Sequence, residues 1–146
     1  MQVQVIENLD YHSLALLLAE ANSEGFDFIA RLQDEYRSGL NRFNRQGEIL
    51  FGVFEGERMV AVGGLNNDPY LEDPLVGRVR HIYVLNAYRG KGAGRMLLNS
   101  IIEEAKRHYA MITLKTETEE ASLFYKSLGF VNEPAIESAT HHLSLV

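Results

Sequence analysis

The residue types with chemical potential are concentrated between Val79 and Tyr109, and above all in Arg89-Gly90-Lys91-Gly92-Ala93-Gly94-Arg95. An apolar run, Ile82 to Leu85, leads into this segment, and an amphipathic stretch follows it. Glycines here permit positive φ and close approach of a ligand to the main chain. A helix that starts at such a turn offers unpaired N–H groups, which bind phosphate oxygens. Arg89, Lys91 and Arg95 add positive charge to a chain with formal net charge −6. The combination points to a phosphorylated ligand. It is not a P-loop, because the Gly-x-x-x-x-Gly-Lys-Ser/Thr spacing is absent and no hydroxyl follows for magnesium. It also departs from a dinucleotide fingerprint, since Arg95 and Leu97 stand where a third small residue belongs.

Other chemistry-bearing groups are sparser. His81 lies on the strand ahead of the turn and is ionisable near neutral pH, which makes it a candidate general base. Arg78 and Arg80 fall on the opposite face from His81 if that strand is regular, and are candidates for an anionic part of a substrate. His141 and His142 are adjacent on a strand pattern and point to opposite faces, so they do not share a metal. No cluster has metal-ligand spacing, so no metal is expected. There is no cysteine, which excludes disulfides, cysteine–zinc sites and a cysteine nucleophile.

These residues must be positioned by the surrounding elements. Val3 and Val5 alternate as a short strand. Asp10 caps a helix with the stripe Leu14, Leu17, Leu18 and Ala21, and Gly25 interrupts it. A second helix carries Phe28, Ile29, Leu32 and Tyr36, followed by a polar loop from Gly39 to Gly47. Ile49–Phe54 and Met59–Leu65 form a hairpin through Glu55-Gly56-Glu57-Arg58. Asn66 to Pro74 reads as a loop. Val76–Leu85 is the third strand of this group. The helix after the turn buries Leu97, Leu98, Ile101, Ile102, Ala105 and Tyr109. Met111–Leu114 is a strand. Thr116 and Glu119 have capping-box spacing for a last helix, which carries Ala121, Leu123, Phe124 and Leu128 and stops at Gly129. Phe130-Val131 and His141–Val146 close the chain. The order β-α-α-β-β-β-α-β-α-β-β implies an α/β (α+β) fold, with a mixed sheet and helices on its faces.

Composition sets the outer limits. A chain of 146 residues is expected to be one domain, residues 1–146. Apolar content of 46% with 23% charged residues fits a folded globular chain rather than a disordered one. The acidic balance makes nucleic acid a poor partner. No apolar run nears the roughly 18 residues of a membrane span, and the start shows no signal-peptide pattern. A cytoplasmic location is expected.

The chain resembles the GNAT superfamily of acyl-coenzyme A-dependent N-acetyltransferases. The family signature Arg/Gln-x-x-Gly-x-Gly/Ala is matched by Arg89, Gly92 and Gly94. A second signature, Ala-x-x-Phe-Tyr-x-x-x-Gly-Phe, is matched by Ala121, Phe124, Tyr125, Gly129 and Phe130. Asn86 replaces a frequent proline after the central strand, and Thr118 stands where the family often has asparagine. The resemblance implies a centrally splayed mixed sheet of about six or seven strands flanked by about four helices. It implies acetyl-CoA as co-substrate, with the amides of Gly90, Lys91, Gly92, Ala93, Gly94 and Arg95 around the pyrophosphate and the Arg89 side chain nearby. Tyr83 and Val84 would hold the pantetheine arm, with the Val84 N–H polarising the thioester. Thr118 would stand beside the cofactor, and Tyr125 would act as general acid to the leaving thiolate. It implies direct attack by a primary amine, of a small molecule or a protein, in a ternary complex, with a homodimer as the form common in the family. Steering by the acidic net charge favours a cationic acceptor such as a polyamine, an aminoglycoside or a protein amine, with amino acid analogues an alternative. Two competing readings share the same turn: a module that senses acyl-CoA without turnover, and a nucleotide-binding regulatory domain.

Overall fold

A computed structural model of the chain describes residues 1–133, 136 and 138–146. Among the described residues seven strands form one sheet in the order β1-β2-β3-β4-β5-β7-β6. They are β1 (Gln2–Val5), β2 (Ile49–Glu55), β3 (Arg58–Asn67), β4 (Val76–Val84), β5 (Met111–Leu114), β6 (Val131–Asn132) and β7 (His141–Ser144). Four helices flank them: α1 (Tyr11–Ser23), α2 (Phe28–Ser38), α3 (Ala93–Ala105) and α4 (Glu119–Ser127). A single 3₁₀ turn, Asn86–Tyr88, joins β4 to the glycine turn. The β4–β5 pair is parallel and the others are antiparallel. The sheet is therefore mixed, and α3 supplies the crossover that a parallel pair requires.

Local chemistry explains most boundaries. Asp10 caps α1 through its carboxylate, which accepts from the His12 N–H at 3.1 Å and the Ser13 hydroxyl at 2.9 Å. Gly39, at φ +84°, ends α2 in the left-handed region. The α3 stripe of Leu97, Leu98 and Ile101 is fully buried against the sheet. Each such side chain contributes about 1.5–3 kcal/mol by leaving water.

Several boundaries differ from the sequence reading: α3 stops at Ala105 and leaves Tyr109 beyond it, and β4 and β7 end at Val84 and Ser144. The strand β3 continues through Asn66 and Asn67, which pair with Arg78 and Gly77 of β4. Polar residues are tolerated there because partners exist: the Asn66 amide exchanges hydrogen bonds with Asn41 at 3.0 Å and donates to Glu48 Oε2 at 2.9 Å. The α4 cap is Thr118, whose hydroxyl accepts from the Ala121 N–H at 3.2 Å. Thr116 instead donates its N–H to the Thr140 hydroxyl at 3.0 Å. The strand β6 is displaced by one residue, to Val131–Asn132.

Two features of β4 shape the site. First, β4 pairs with β5 only over Val76–Arg78. Beyond Arg78 the two strands diverge, and Val79–Val84 run without a β5 neighbour. Second, β4 carries a β-bulge. Val62 pairs with Tyr83 and Gly64 with Arg80, so His81 and Ile82 together oppose Gly63. His81 takes φ +61°, the left-handed conformation of the first residue in a G1-type bulge. Ile82 points toward α3, where Leu97 and Ile101 also meet the space beside Gly63. His81 and Tyr83 point the other way, toward Phe43, Phe28 and α1.

Candidate active site

The glycine turn opens outward. Gly90 and Gly92 have φ +75° and +91°, and a side chain there would meet nothing within 4 Å. The first α3 bond runs from the Met96 N–H to Gly92 O at 3.0 Å, while the Lys91 N–H reaches Tyr88 O at 3.4 Å. Among the described residues, the N–H groups of Gly90, Gly92, Ala93, Gly94 and Arg95 have no such partner outside regular ladders. That leaves a cluster of donors at the positive end of the α3 dipole.

Three elements converge on this turn. A Cβ on Gly94 would stand 3.6 Å from Val84 Cγ2 and 3.3 Å from Phe124 Cζ. The α3 N-terminus thus sits against both the end of β4 and α4. The Leu85 N–H donates to Val60 O at 2.9 Å. By strand alternation, the Val84 N–H and C=O face away from β3, into the gap left by β5. The Val84 carbonyl there accepts from Arg89 Nε at 3.1 Å.

The basic side chains around the turn are partnered. Arg89 forks onto Glu24, at 3.0 and 3.4 Å, and its guanidinium lies 5.3 Å from the Tyr83 ring centre. Arg95 donates to the Ser127 hydroxyl at 3.1 Å, tying α3 to α4. Lys91 lies 5.7 Å from the Tyr88 ring. The main chain, rather than the Arg89 guanidinium, presents the open donors.

Tyr83 is 3% exposed. Its hydroxyl donates to Glu24 and lies 2.9 Å from Glu20 Oε1. The Asn86 N–H also donates to Glu20 Oε1, at 2.7 Å. Tyr83 and Arg89 hold the Glu24 carboxyl below the usual carboxylate range. The sequence reading missed Glu20 and Glu24. On sequence alone, two acids near the end of an amphipathic helix are indistinguishable from a solvated face.

Tyr125 packs between Phe124, Phe130 and the His141 ring, at centroid distances of 5.3, 5.6 and 6.3 Å. Burial pushes its phenol up, so it is protonated at neutral pH. Among the described residues no group hydrogen-bonds its hydroxyl. His141 faces α4, where Nε2 lies 2.9 Å from the Ser122 hydroxyl and Nδ1 lies 2.7 Å from that of Thr140. Thr118, expected beside a cofactor, has its hydroxyl engaged by the α4 cap.

His81 is 7% exposed, and neither ring nitrogen has a hydrogen-bond partner. Burial, reinforced by the charges of Arg80 and Arg31, lowers its pKa to about 3. An imidazole so reluctant to protonate is poorly matched to the general-base role expected from its position. Arg78 and Arg80 were expected on the opposite face from His81. The bulge overturns that expectation: Gly77 faces the Tyr109 ring on the α3 side, so alternation puts Arg78 and Arg80 on the other side, and the extra residue puts His81 there too. Arg78 is itself buried. It donates to Ser138 O at 2.7 Å and lies 3.8 Å from the Asp68 carboxylate. Its role is thus to bridge β4 to the segment ahead of β7. Among the described residues, no group of three or more His, Cys, Asp or Glu could hold a metal ion. No helix among them is long and apolar enough to cross a membrane.

Comparison with known proteins gives a consistent result. Residues 46–132 match the family model described as an acetyltransferase (GNAT) domain. A candidate acetyltransferase from Exiguobacterium sp. 255-15 superposes with TM-score 0.82 at 31% identity, over 99% of this chain and 94% of that one. The GNAT family N-acetyltransferase YhbS from Escherichia coli, solved in complex with CoA, superposes with TM-score 0.72 at 17% identity, over 99% of this chain and 81% of that one. The UPF0039 protein sll0451 of Synechocystis is 32% identical over 108 residues, covering 70% of this chain and 68% of that one.

Proposed function

Since the chain belongs to the GNAT acetyltransferase family, we propose that it moves acetyl from acetyl-CoA to a primary amine by direct attack in a ternary complex. One observation supports this reading: the open amides of the Gly90–Arg95 turn lie beside the free edge of β4 at Val84, where β4 and β5 have parted and where Phe124, the neighbour of Tyr125 on α4, packs against Gly94.

The turn's amides hold the CoA diphosphate, helped by the α3 dipole, which adds about 0.3–1 kcal/mol. The pantetheine arm lies along Val79–Val84 as an added strand, occupying donors and acceptors that β5 leaves unmatched. The Val84 N–H points at the thioester carbonyl and stabilises the oxyanion that forms there. The neutral amine forms the new C–N bond, its nitrogen gives up one proton, the tetrahedral centre collapses to the amide as the C–S bond breaks, and the coenzyme sulfur takes up a proton to leave as the thiol. The departing thiolate meets the Tyr125 hydroxyl, whose hydrogen has no competing acceptor among the described residues. A lysine-like amine has a pKa near 10.4 and enters mostly protonated. That proton is lost to bulk solvent before attack, and no side chain is assigned as its base.

The test is release of free thiol from acetyl-CoA in the presence of primary amines, with the N-acetylated product identified by mass spectrometry. The reading expects amine-dependent, saturable release. CoA binding without thiol release against a broad amine panel overturns it in favour of a sensor. The CoA diphosphate held at this turn makes YhbS, solved with CoA, the appropriate comparison for the bound state.

A further inference from the structure

The β-bulge leaves two basic groups side by side on the face of β4 away from α3. Arg80 is half-buried, and among the described residues it has no carboxylate, hydrogen-bond or aromatic partner. The other arginines near the site are all engaged: Arg31 with Asp27 at 2.9 Å, Arg78 with Asp68 and Arg89 with Glu24. In a chain with 20 acidic residues against 14 basic ones, a half-buried guanidinium without a carboxylate among the described residues is unusual. Its neighbour His81 is buried with both nitrogens unmatched. Buried polar atoms without partners cost stability and call for an explanation.

Backbone strain marks the same place. Of the three non-glycine residues with positive φ among the described residues, two are His81 (+61°) and Phe43 (+54°). Their rings meet edge-on at 6.2 Å. Phe43 is pressed onto the β3 backbone, where a Cβ on Gly64 would stand 2.3 Å from its ring. Strained residues persist where the surroundings hold them, and they cluster at ligand clamps.

We infer that Arg80, set on this face by the bulge at His81, binds an anionic group, a carboxylate or a phosphate, carried by the acceptor amine itself. The inference rests on the acyl-transfer reading and names its substrate class. Arg80 and His81 precede Val84 by four and three residues, about 10–13 Å along the strand. A guanidinium reaching forward shortens that span, so an acceptor can place its anion at Arg80 and its amine at the thioester. The α3 face of β4 is taken by the diphosphate turn, which leaves the α1–α2 face for the acceptor. There the half-buried guanidinium offers a fork to the anion. This local field opposes the acidic net charge, which by itself favoured a plain polyamine.

Matched acceptors test it. Thiol release is compared for ω-amino carboxylates of increasing length against their carboxamides, and for O-phosphoethanolamine against ethanolamine. The better anionic series identifies the anion. The anionic member is expected to exceed its neutral partner in kcat/KM by about ten- to a hundredfold. Arg80→Gln should bring the ratio close to one, and Arg80→Lys should keep part of it; CoA affinity, measured by calorimetry, verifies that both variants fold. Equal or better turnover of the neutral partners overturns the inference, as does a ratio unaffected by Arg80→Gln, while the acyl-transfer reading stands. If CoA binds but no amine turns over, the acyl-transfer reading falls and takes the inference with it.

Discussion

Replacing Tyr125 with Phe should lower kcat by about ten- to a hundredfold while leaving acetyl-CoA affinity nearly unchanged. The magnitude is that of one hydrogen bond to a charged group, about 1.5–3 kcal/mol. The substitution keeps the ring that packs against Phe124, Phe130 and His141, so the fold and the cofactor cleft should survive. What is lost is a single hydroxyl with a raised pKa. A phenol that resists ionisation is a reluctant proton donor but a dependable hydrogen-bond donor to a forming thiolate. Stabilising the leaving group affects the transition state more than the bound substrate, which places the loss in kcat. Steady-state kinetics with calorimetric CoA binding measures both. Unchanged turnover would remove Tyr125 from the mechanism.

The second large effect is on stability. His81 has a folded-state pKa of about 3, against about 6.5 in an unfolded chain. Between those values the unfolded state binds a proton that the folded state refuses, so stability rises with pH across that window and falls on acidification. The slope from this one group approaches 1.4 kcal/mol per pH unit. Asparagine tolerates positive φ and does not titrate, so His81→Asn is the reference. Urea unfolding of both proteins between pH 7 and pH 4 should show the wild type losing stability faster than the variant below about pH 6.5. Parallel curves would mean that the imidazole protonates normally within the fold.

Much of this was legible in the residues. The apolar stripes of α1, α2 and α3 and the polar loop that begins at Gly39 are local patterns, and local patterns fix element type. The turn at Gly90–Gly94 was legible because its glycines, flanking cations and following helix coincide within a few residues. The features that were missed depend on contacts distant in sequence. The bulge at His81 lies opposite Gly63 and Gly64 of β3. A glycine pair inside an apolar strand is its one sequence trace. Glu20 and Glu24 gain meaning only when the α1 C-terminus reaches Tyr83 and Arg89. Asn66 and Asn67 read as loop residues until Asn41 and Glu48 supply partners. Thr118 rather than Thr116 is the cap because α4 begins at Glu119, which brings the Ala121 N–H within reach of the Thr118 hydroxyl.

The central claim is that main-chain amides between Gly90 and Arg95 grip the CoA diphosphate at the mouth of the β4–β5 gap. Titration of ¹⁵N-labelled protein with CoA tests it most directly. The account predicts that the Gly90, Gly92, Ala93 and Gly94 amide resonances move together and saturate with a single binding constant. If CoA binds and those resonances stay fixed while amides elsewhere shift, the account is contradicted.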